Sequence, residues 1–317
     1  NDPDCTNDTA CEACCAPSVS CYEATPADCS NAGGTPQGSG SDCLGLAACC
    51  KPGGTCLFVD EQCCDYEGGT SLGSGSDCDP NLCCVVAGPT QPAGEAGFEK
   101  IRYFSTEPGN PGRLTALRVT MTTIPPPYSG FSGTRCWVGE PAAYCENAGK
   151  PTPPCPTAQP TTEFLGAGLQ GTPHCMDWST VGVLHVSDDD IVPNAVYDVQ
   201  AIDCECDFGD ETNYSAPLTI TTSRWGDLVR NCAVYPCGPP DGTVGIPGDV
   251  TAVLDKFKNL GPPAYNPAVI KSRADLDWNI PNRRVDISDV TFCLDAFRGF
   301  PYPPLPPAEW PGPNGCP

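Results

Sequence analysis

The sequence predicts a mainly β protein with a small helical element near its C-terminal end. Three observations carry this. Fifteen of the 25 cysteines fall within the first 84 residues, in a spacing that occurs twice. A central stretch reads as short alternating apolar and polar segments separated by turn clusters, the pattern of half-buried strands. Towards the end, one amphipathic helix is written twice, as DVTAVLDKFKN and DVTFCLDAFRG.

The cysteine spacing is an internal repeat. Cys14, Cys15, Cys21, Cys29 and Cys43 read CC-x5-C-x7-C-x13-C, and Cys49, Cys50, Cys56, Cys64 and Cys78 repeat it 35 residues later. Cys83 and Cys84 begin a third copy that does not finish. Gly33-Gly34 and Gly68-Gly69 punctuate matching turns. Each repeat holds five cysteines, an odd number, so at least one bridge must leave it. This predicts a linear array in which each module is tied to the next. Cys5, Cys11 and Cys63 lie outside the strict pattern as extra ties.

Disulfides, not metal, are the expected use of these cysteines. The pairs are vicinal rather than CxxC, and His174 and His185 are the only histidines. So many cysteines in small modules mark a secreted, extracellular or cell-surface chain. The first residues, NDPDC, read as a mature terminus after cleavage. No long apolar run offers a membrane span. The net charge of −23 argues against nucleic acid, since phosphate contacts need clustered Lys and Arg. With 38 Pro and 34 Gly, much of the chain must be turn and extended segment.

The motifs ACCAPSVSC, ADCSNAGGTPQGSGSDC, ACCKPGGTC and QCCDYEGGTSLGSGSDC resemble a repeat of large secreted and surface proteins of bacteria, planctomycete-type ones especially. That resemblance implies location and no activity. The domain boundaries predicted are a Cys-rich region at 1–90, a Pro/Gly linker at 91–97, a β-sandwich at 98–230, a helical module at 231–299 and a Pro-rich tail at 300–317.

In the central region the expected strands are 100–105, 114–123, 135–139, 180–186, 196–203 and 217–223. Leu117, Val119 and Met121 alternate with Arg118, Thr120 and Thr122. The Pro-rich stretch at 147–162 reads as a surface loop pinned by Cys155. VPNAVYDVQAID and NYSAPLTITTS resemble the last two strands of a fibronectin type III or related immunoglobulin-like sandwich. The resemblance would place Tyr197 at the tyrosine corner and implies no particular ligand.

In the helical module, Val250, Val253, Leu254 and Phe257 form an apolar stripe that Val290, Cys293, Leu294 and Phe297 repeat. Each helix follows a turn-rich loop. The pair resembles a dockerin, a family that binds Ca2+ and docks to cohesin modules. The resemblance implies ligands from Asp241 and Asp249 in the first loop, and from Asp277, Asn279, Asn282 and Asp289 in the second. Both loops run one residue longer than the family pattern, and a degenerate loop used only for packing is the alternative. No cofactor is required; Ca2+ is the one candidate ion.

Cys293 stands where Val253 stands in the sister helix, so it is the expected unpaired thiol. Removing it leaves 15 cysteines in the N-terminal region and nine beyond. Both counts are odd, so one bridge must join the two regions or two chains, and Cys316 in the tail is placed for it. Cys232 and Cys237 are expected to close a short local loop.

No catalytic residue stands out. His185 lies in the strand-like run VGVLHVS, which suits a structural histidine, and His174 receives the same reading. Asp188, Asp189 and Asp190 read as a solvated loop, with a Ca2+ site as the alternative. Trp137, Trp178 and Trp225 are expected in the core rather than stacked on sugars. Asn7 and Asn213 open glycosylation sequons, and TPPCPTAQPTT suits O-glycans. The expected function is an extracellular structural subunit that self-assembles into a filament, sheath or surface layer, a homopolymer built through its Cys-rich arm and C-terminal module. The alternative is a surface binding module that docks to a cohesin-like protein, to polysaccharide, or to both.

Overall fold

The computed structural model describes residues 11–16, 21–51, 54–78, 82–84, 86–92, 101–109, 113–145, 163–232, 237–258, 271–277, 282, 284–302 and 314–316. Asn7, Asn279, the Pro-rich loop at 147–162 and most of the tail lie outside them. The chain divides into two compact units, Asn1–Val86 with Ile202–Ser215, and Ala87–Ala201 with Ala216–Pro317. The segment Ile202–Ser215 therefore groups with the Cys-rich region, and the helical module falls in the same unit as most of the β body.

In the first unit the two repeats build the same small sheet twice. Strands β1 (Glu12–Cys15), β2 (Cys21–Ala24) and β3 (Thr35–Pro36) pair in the order β2-β1-β3, with helix α1 (Pro26–Asn31) between the last two. Strands β4 (Leu46–Cys50), β5 (Cys56–Asp60) and β6 (Thr70–Ser74) pair as β5-β4-β6. The vicinal cysteines end the central strand of each sheet. Neighbouring residues on a strand point to opposite faces, so the two sulfurs of a CC pair cannot serve the same partner region. Cys14 turns inward to Cys29, and Cys49 to Cys64. Their neighbours reach out of the module: Cys15 to Cys63 and Cys50 to Cys83. Cys21–Cys43 and Cys56–Cys78 close each module. Each module core is little more than its bridge: Cys14, Ala24 and Cys29 in one, Cys49, Val59 and Cys64 in the other. Closing a 15-residue loop stabilises by roughly 3 kcal/mol in the chain-entropy picture, which offsets so small a core.

The recurring GGT follows from packing. Gly33 and Gly68 have φ of +78° and +71°, the left-handed region that glycine enters without strain. Gly34 and Gly69 lie on the bridges, where a Cβ would stand 2.6 Å from Cys14 Sγ and 2.5 Å from Cys49 Sγ. The serine of GSGSD caps the sheet. Ala13 and Ala48 donate their N–H to the hydroxyls of Ser41 and Ser76 at 3.1 and 2.9 Å.

The unfinished third copy takes its partner from elsewhere. Cys84 bonds to Cys206, 122 residues on. This is the bridge between regions that the parity argument requires. Cys316 does not supply it, because Cys316 bonds to Cys136 within the second unit.

Among its described residues the second unit contains two sheets. One runs β10 (Ala142–Cys145), β11 (Glu163–Ala167), β14 (Leu184–Val186) and β7 (Phe104–Thr106), with β11 and β14 parallel. The other runs β12 (Leu169–Gln170), β9 (Arg135–Val138), β8 (Leu114–Thr123), β15 (Val196–Asp203) and β16 (Leu218–Thr221), with β13 (Met176–Asp177) also on β8. The alternation in β8 predicts one wet face, yet Arg118 is buried beside Leu117 and Val119. Its Nη2 donates to Gln200 Oε1 at 2.9 Å, which gives the charged group a polar partner on a covered face. Tyr197 accepts from Val192 N–H at 2.8 Å and donates to the carbonyl of Asp190 at 3.0 Å.

Helices α2 (Thr251–Phe257), α3 (Lys271–Ala274) and α4 (Ile287–Phe297) close the second unit. Val253 and Cys293 are both fully buried in one core with Trp225, Leu228 and Leu276. The predicted apolar stripe is cut short at its end. Phe257 and Phe297 close their helices and are 37 % and 44 % exposed. No helix among the described residues is long and apolar enough to cross a membrane.

The tail is held by its own chain at both described ends. Tyr302 stacks edge-on against Trp225 with ring centroids 5.7 Å apart, under the buried guanidinium of Arg102, which also donates to its hydroxyl. Gly315 and Cys316 donate their N–H groups to the two oxygens of Asp190 at 3.1 and 3.0 Å.

Candidate metal centre

The two helices are preceded by two versions of one loop. Asp227-Leu228 leads into the first and Asp275-Leu276 into the second. In both, the leucine N–H donates to the aspartate near the helix start: Leu228 to Asp249 Oδ1 at 2.7 Å and Leu276 to Asp289 Oδ1 at 2.6 Å. The other carboxylate oxygen takes a second N–H, from Gly245 at 2.8 Å and from Asp286 at 2.8 Å. In the second loop this forms a capping box on α4, with the Asp286 side chain as N-cap. In the first, a π-type turn over Ile246–Val250 inserts one residue, so the donor stands four positions back instead of three.

The second loop converges. Asp275, Asp277 and Asp289 each present an oxygen within 4.8 Å of the others. Two oxygens on one ion at about 2.4 Å can be at most about 4.8 Å apart, so this set fits a hard divalent cation with oxygen ligands. Asn282 lies beside it and donates to Asp277 Oδ2 at 2.5 Å. Among the described residues two other groups of acids and cysteines come together, Cys21/Cys43/Asp60 and Cys136/Asp190/Cys316. Their sulfurs are spent in disulfides and offer no thiolate.

The electrostatics agree with the geometry. Burial pushes Asp289 up to about 7; its backbone hydrogen bonds oppose this, and the charges of Asp277 and Asp286 add to it. Burial also raises Asp277, with Asp286 adding and Arg102 opposing. A cluster of carboxylates that resists ionisation alone is one that a cation stabilises.

The first loop differs. Asp241 does not join Asp249 in a carboxylate cluster; it accepts from Thr243 N–H at 3.0 Å and from Asn231 N–H at 3.3 Å. Asp249 takes a third N–H, from Val229 at 2.9 Å. Where the second loop has Asp277, the first has Val229. Burial raises Asp249 to about 6, its hydrogen bonds pull the other way, and the Asp227 charge adds to the rise.

Sequence reasoning missed Asp227 and Asp275. Asp227 precedes Asp249 by 22 residues, whereas Asp275 precedes Asp289 by 14. Counting back over a fixed loop length could not find either. The repeated Asp-Leu dipeptide was the available signal.

Other candidate residues have structural roles. His185 is buried against Tyr103 and bonds through Nδ1 to the Tyr144 hydroxyl. Asp188–Asp190 is not a solvated loop: Asp190 is fully buried, and Asp188 accepts from Leu169 N–H at 2.9 Å. Asn213 is 6 % exposed and its amide donates to the Asp207 carbonyl at 3.0 Å. Trp178 and Trp225 are buried and Trp137 half-buried. Cys232 bonds to Cys237. Cys293 is free and buried, its thiol pushed well up by burial and then by Asp249, Asp227 and Asp289.

No family model matches this chain, and no match is found among curated proteins or solved structures.

Proposed function

We propose that the chain is a non-enzymatic structural subunit of the cell exterior that enters a larger assembly through a cation-stabilised helix pair. The observation that carries this reading is the convergence of Asp275, Asp277 and Asp289 at the foot of α4 in a duplicated loop–helix unit. A bound Ca2+ would neutralise these carboxylates and fix the loop. Asp289 holds the Leu276 and Asp286 N–H groups, so it ties the ion-binding loop to the helix start. Asp277 and Asp275 close the site from the loop side, and Asn282 orients Asp277. This is the arrangement by which the dockerin-like resemblance would present a docking surface, to a cohesin-like partner or to a second copy of the chain. The hydroxyl of Tyr197, bonded back to Asp190 and Val192, supports the immunoglobulin-like reading of the β body.

Cys316, the cysteine placed for a bridge between regions or chains, bonds to Cys136 of its own chain, so it does not support a covalent link between subunits. Self-assembly into a filament or layer has one observation in its favour. In the second repeat Leu46, Phe58 and Leu72 are 53 %, 50 % and 43 % exposed, a concentration of apolar surface of the kind that interfaces cover.

Negative-stain microscopy and sedimentation in CaCl2, then in chelator, test the reading. Regular assemblies in Ca2+ that disperse in chelator are expected. Monomers at high concentration in both conditions would sink the structural role, and binding to cohesin-like proteins and polysaccharide would then be tested directly.

A further inference from the structure

The two repeats close the same sheet but turn different side chains outward. At the 35-residue period, Cys11, Glu23 and Gln37 of the first repeat become Leu46, Phe58 and Leu72 of the second. Glu23 and Phe58 hold the same register position, each opposite the alanine before a CC pair, Ala13 and Ala48. Cys49 and Val59 face the disulfide core, so Leu46 and Phe58 fall on the other side of the sheet. Thr70 lies opposite Cys50, so Leu72, two residues on, shares that side. Leu44 and Tyr66 of the second repeat are exposed as well, whereas among the described residues of the first repeat no large hydrophobic is exposed.

The first repeat is a control that the chain carries itself. Its three-stranded sheet and its bridges form with Glu23 and Gln37 in place, so the fold does not ask for Phe and Leu at these positions. An apolar cluster that the fold does not need, kept in water, marks a surface that another molecule covers.

Charge says which kind of molecule. The unit Asn1–Val86 with Ile202–Ser215 holds 18 Asp and Glu against one Lys, a net −17 of the −23 on the whole chain. That lysine, Lys51, is paired with Glu67 at 3.1 Å. Acids border the apolar face. Glu61 N–H donates to the Gly45 carbonyl at 3.1 Å, beside Leu44 and Leu46. Asp77 follows Ser76, whose hydroxyl takes the Ala48 N–H at 2.9 Å. Asp77 is exposed and Glu61 half-buried. An apolar centre inside a rim of one sign selects a partner of the opposite sign.

We infer that this face docks a cationic amphipathic segment of another protein, with apolar side chains on Leu46, Phe58 and Leu72 and Lys or Arg against the acidic rim. The same unit from a second copy is the poorer occupant, because it brings −17 to −17. The inference rests on reading the exposed face as an interface, and not on the helix pair or its cation.

Fluorescence anisotropy of a labelled Leu/Lys amphipathic peptide, titrated with the full oxidised chain, tests this. Saturable one-to-one binding is expected, and a Leu/Glu peptide with the same apolar pattern should not bind. Phe58→Glu combined with Leu72→Gln gives the second repeat the residues of the first. It should weaken binding by about tenfold or more, with the bridges unchanged in peptide mapping. The direction is decisive: the variant adds an acid, so attraction between opposite charges alone would make it bind tighter. Equal or tighter binding by the variant, or binding of the Leu/Glu peptide, would overturn the inference. Self-association of the wild type in sedimentation, lost in the variant and with no peptide bound, would give the face to a second copy and keep the interface reading. Neither binding nor self-association would overturn both. Amide exchange on the wild-type chain needs no variant to fold. The Leu/Lys peptide should slow exchange in β4 and β5 and leave β1 and β2 unchanged, and equal slowing in both pairs would contradict a site on the second repeat.

Discussion

The backbone N–H of Leu276 reaches Asp289 Oδ1 across 13 residues, at 2.6 Å, and both residues are fully buried. Asp289 also holds the Asp286 N–H, so one carboxylate satisfies a donor from the loop and one at the helix start. Asp289→Ala orphans both. A buried donor left unsatisfied costs about 1–3 kcal/mol. Thermal melting with disulfides intact should fall by several degrees. Asp295→Ala, on the same helix but in a solvent-screened pair with Arg298, should change it by less than about 0.5 kcal/mol.

The same carboxylate makes stability depend on pH in an unusual direction. Its folded pKa of about 7 lies above the ordinary aspartate value near 3.9. Between those values the folded state holds a proton that the unfolded state has released, so stability falls as pH rises through this window. Asp249, raised to about 6, adds in the same sense. In chelator, the melting temperature of the second unit should be higher at pH 5 than at pH 7.5. Saturating CaCl2 should reverse the order, because the ion binds the deprotonated site and gains affinity as pH rises. An unchanged pH dependence with Ca2+ would show that these carboxylates do not bind the ion.

Gly69 tests the packing of the repeat. A Cβ there would lie 2.5 Å from Cys49 Sγ and 2.8 Å from the Cys50 carbonyl oxygen, two atoms fixed by a disulfide and a strand. Gly69→Ala should block formation of Cys49–Cys64 and collapse the yield of correctly bridged chain, read by peptide mapping after oxidative refolding. Gly45, by contrast, has a positive φ, +101°, and a Cβ there would meet nothing within 4 Å. Gly45→Ala should cost only the backbone strain of about 1–2 kcal/mol and leave the bridges unchanged.

What the sequence made legible was local and periodic. The 35-residue repeat shows in the cysteine spacing because each copy spends its cysteines in the same way, and β8 and β15 show in their alternation and β-branched content. The strands β10 to β13 did not show. They are two to five residues long, too short for a period to register, and β11 gains its place from a parallel pairing to β14 that no local pattern encodes. The partner of Cys84 was hidden for the same reason: it lies 122 residues away, and spacing carries no information over that distance. In the candidate metal centre, Asp289 was legible from the duplicated helix. Asp275 was not, because a counted loop assumes a length that these loops do not keep. Asp190 looked like one of three solvated acids, and only the fold brings Gly315 and Cys316 to it.

That clamp gives the last prediction. Asp190 is fully buried and its two oxygens each hold one tail N–H, beside the Cys136–Cys316 bridge. A buried carboxylate with two N–H donors is a charge-assisted pair of hydrogen bonds, each worth about 1.5–3 kcal/mol. The bridge and the clamp therefore hold the tail redundantly. Cys316→Ser alone should leave it seated, and Asp190→Ala alone should leave it tethered by the disulfide. The double variant should release it, read as carboxypeptidase digestion that runs in minutes where the wild type resists for hours. Tyr302, packed on Trp225 under Arg102, sets where digestion stops. On a non-reducing gel the wild-type chain should run as a monomer, since Cys316 already has its partner. A ladder of covalent multimers would mean that the tail bonds between chains in place of Cys136.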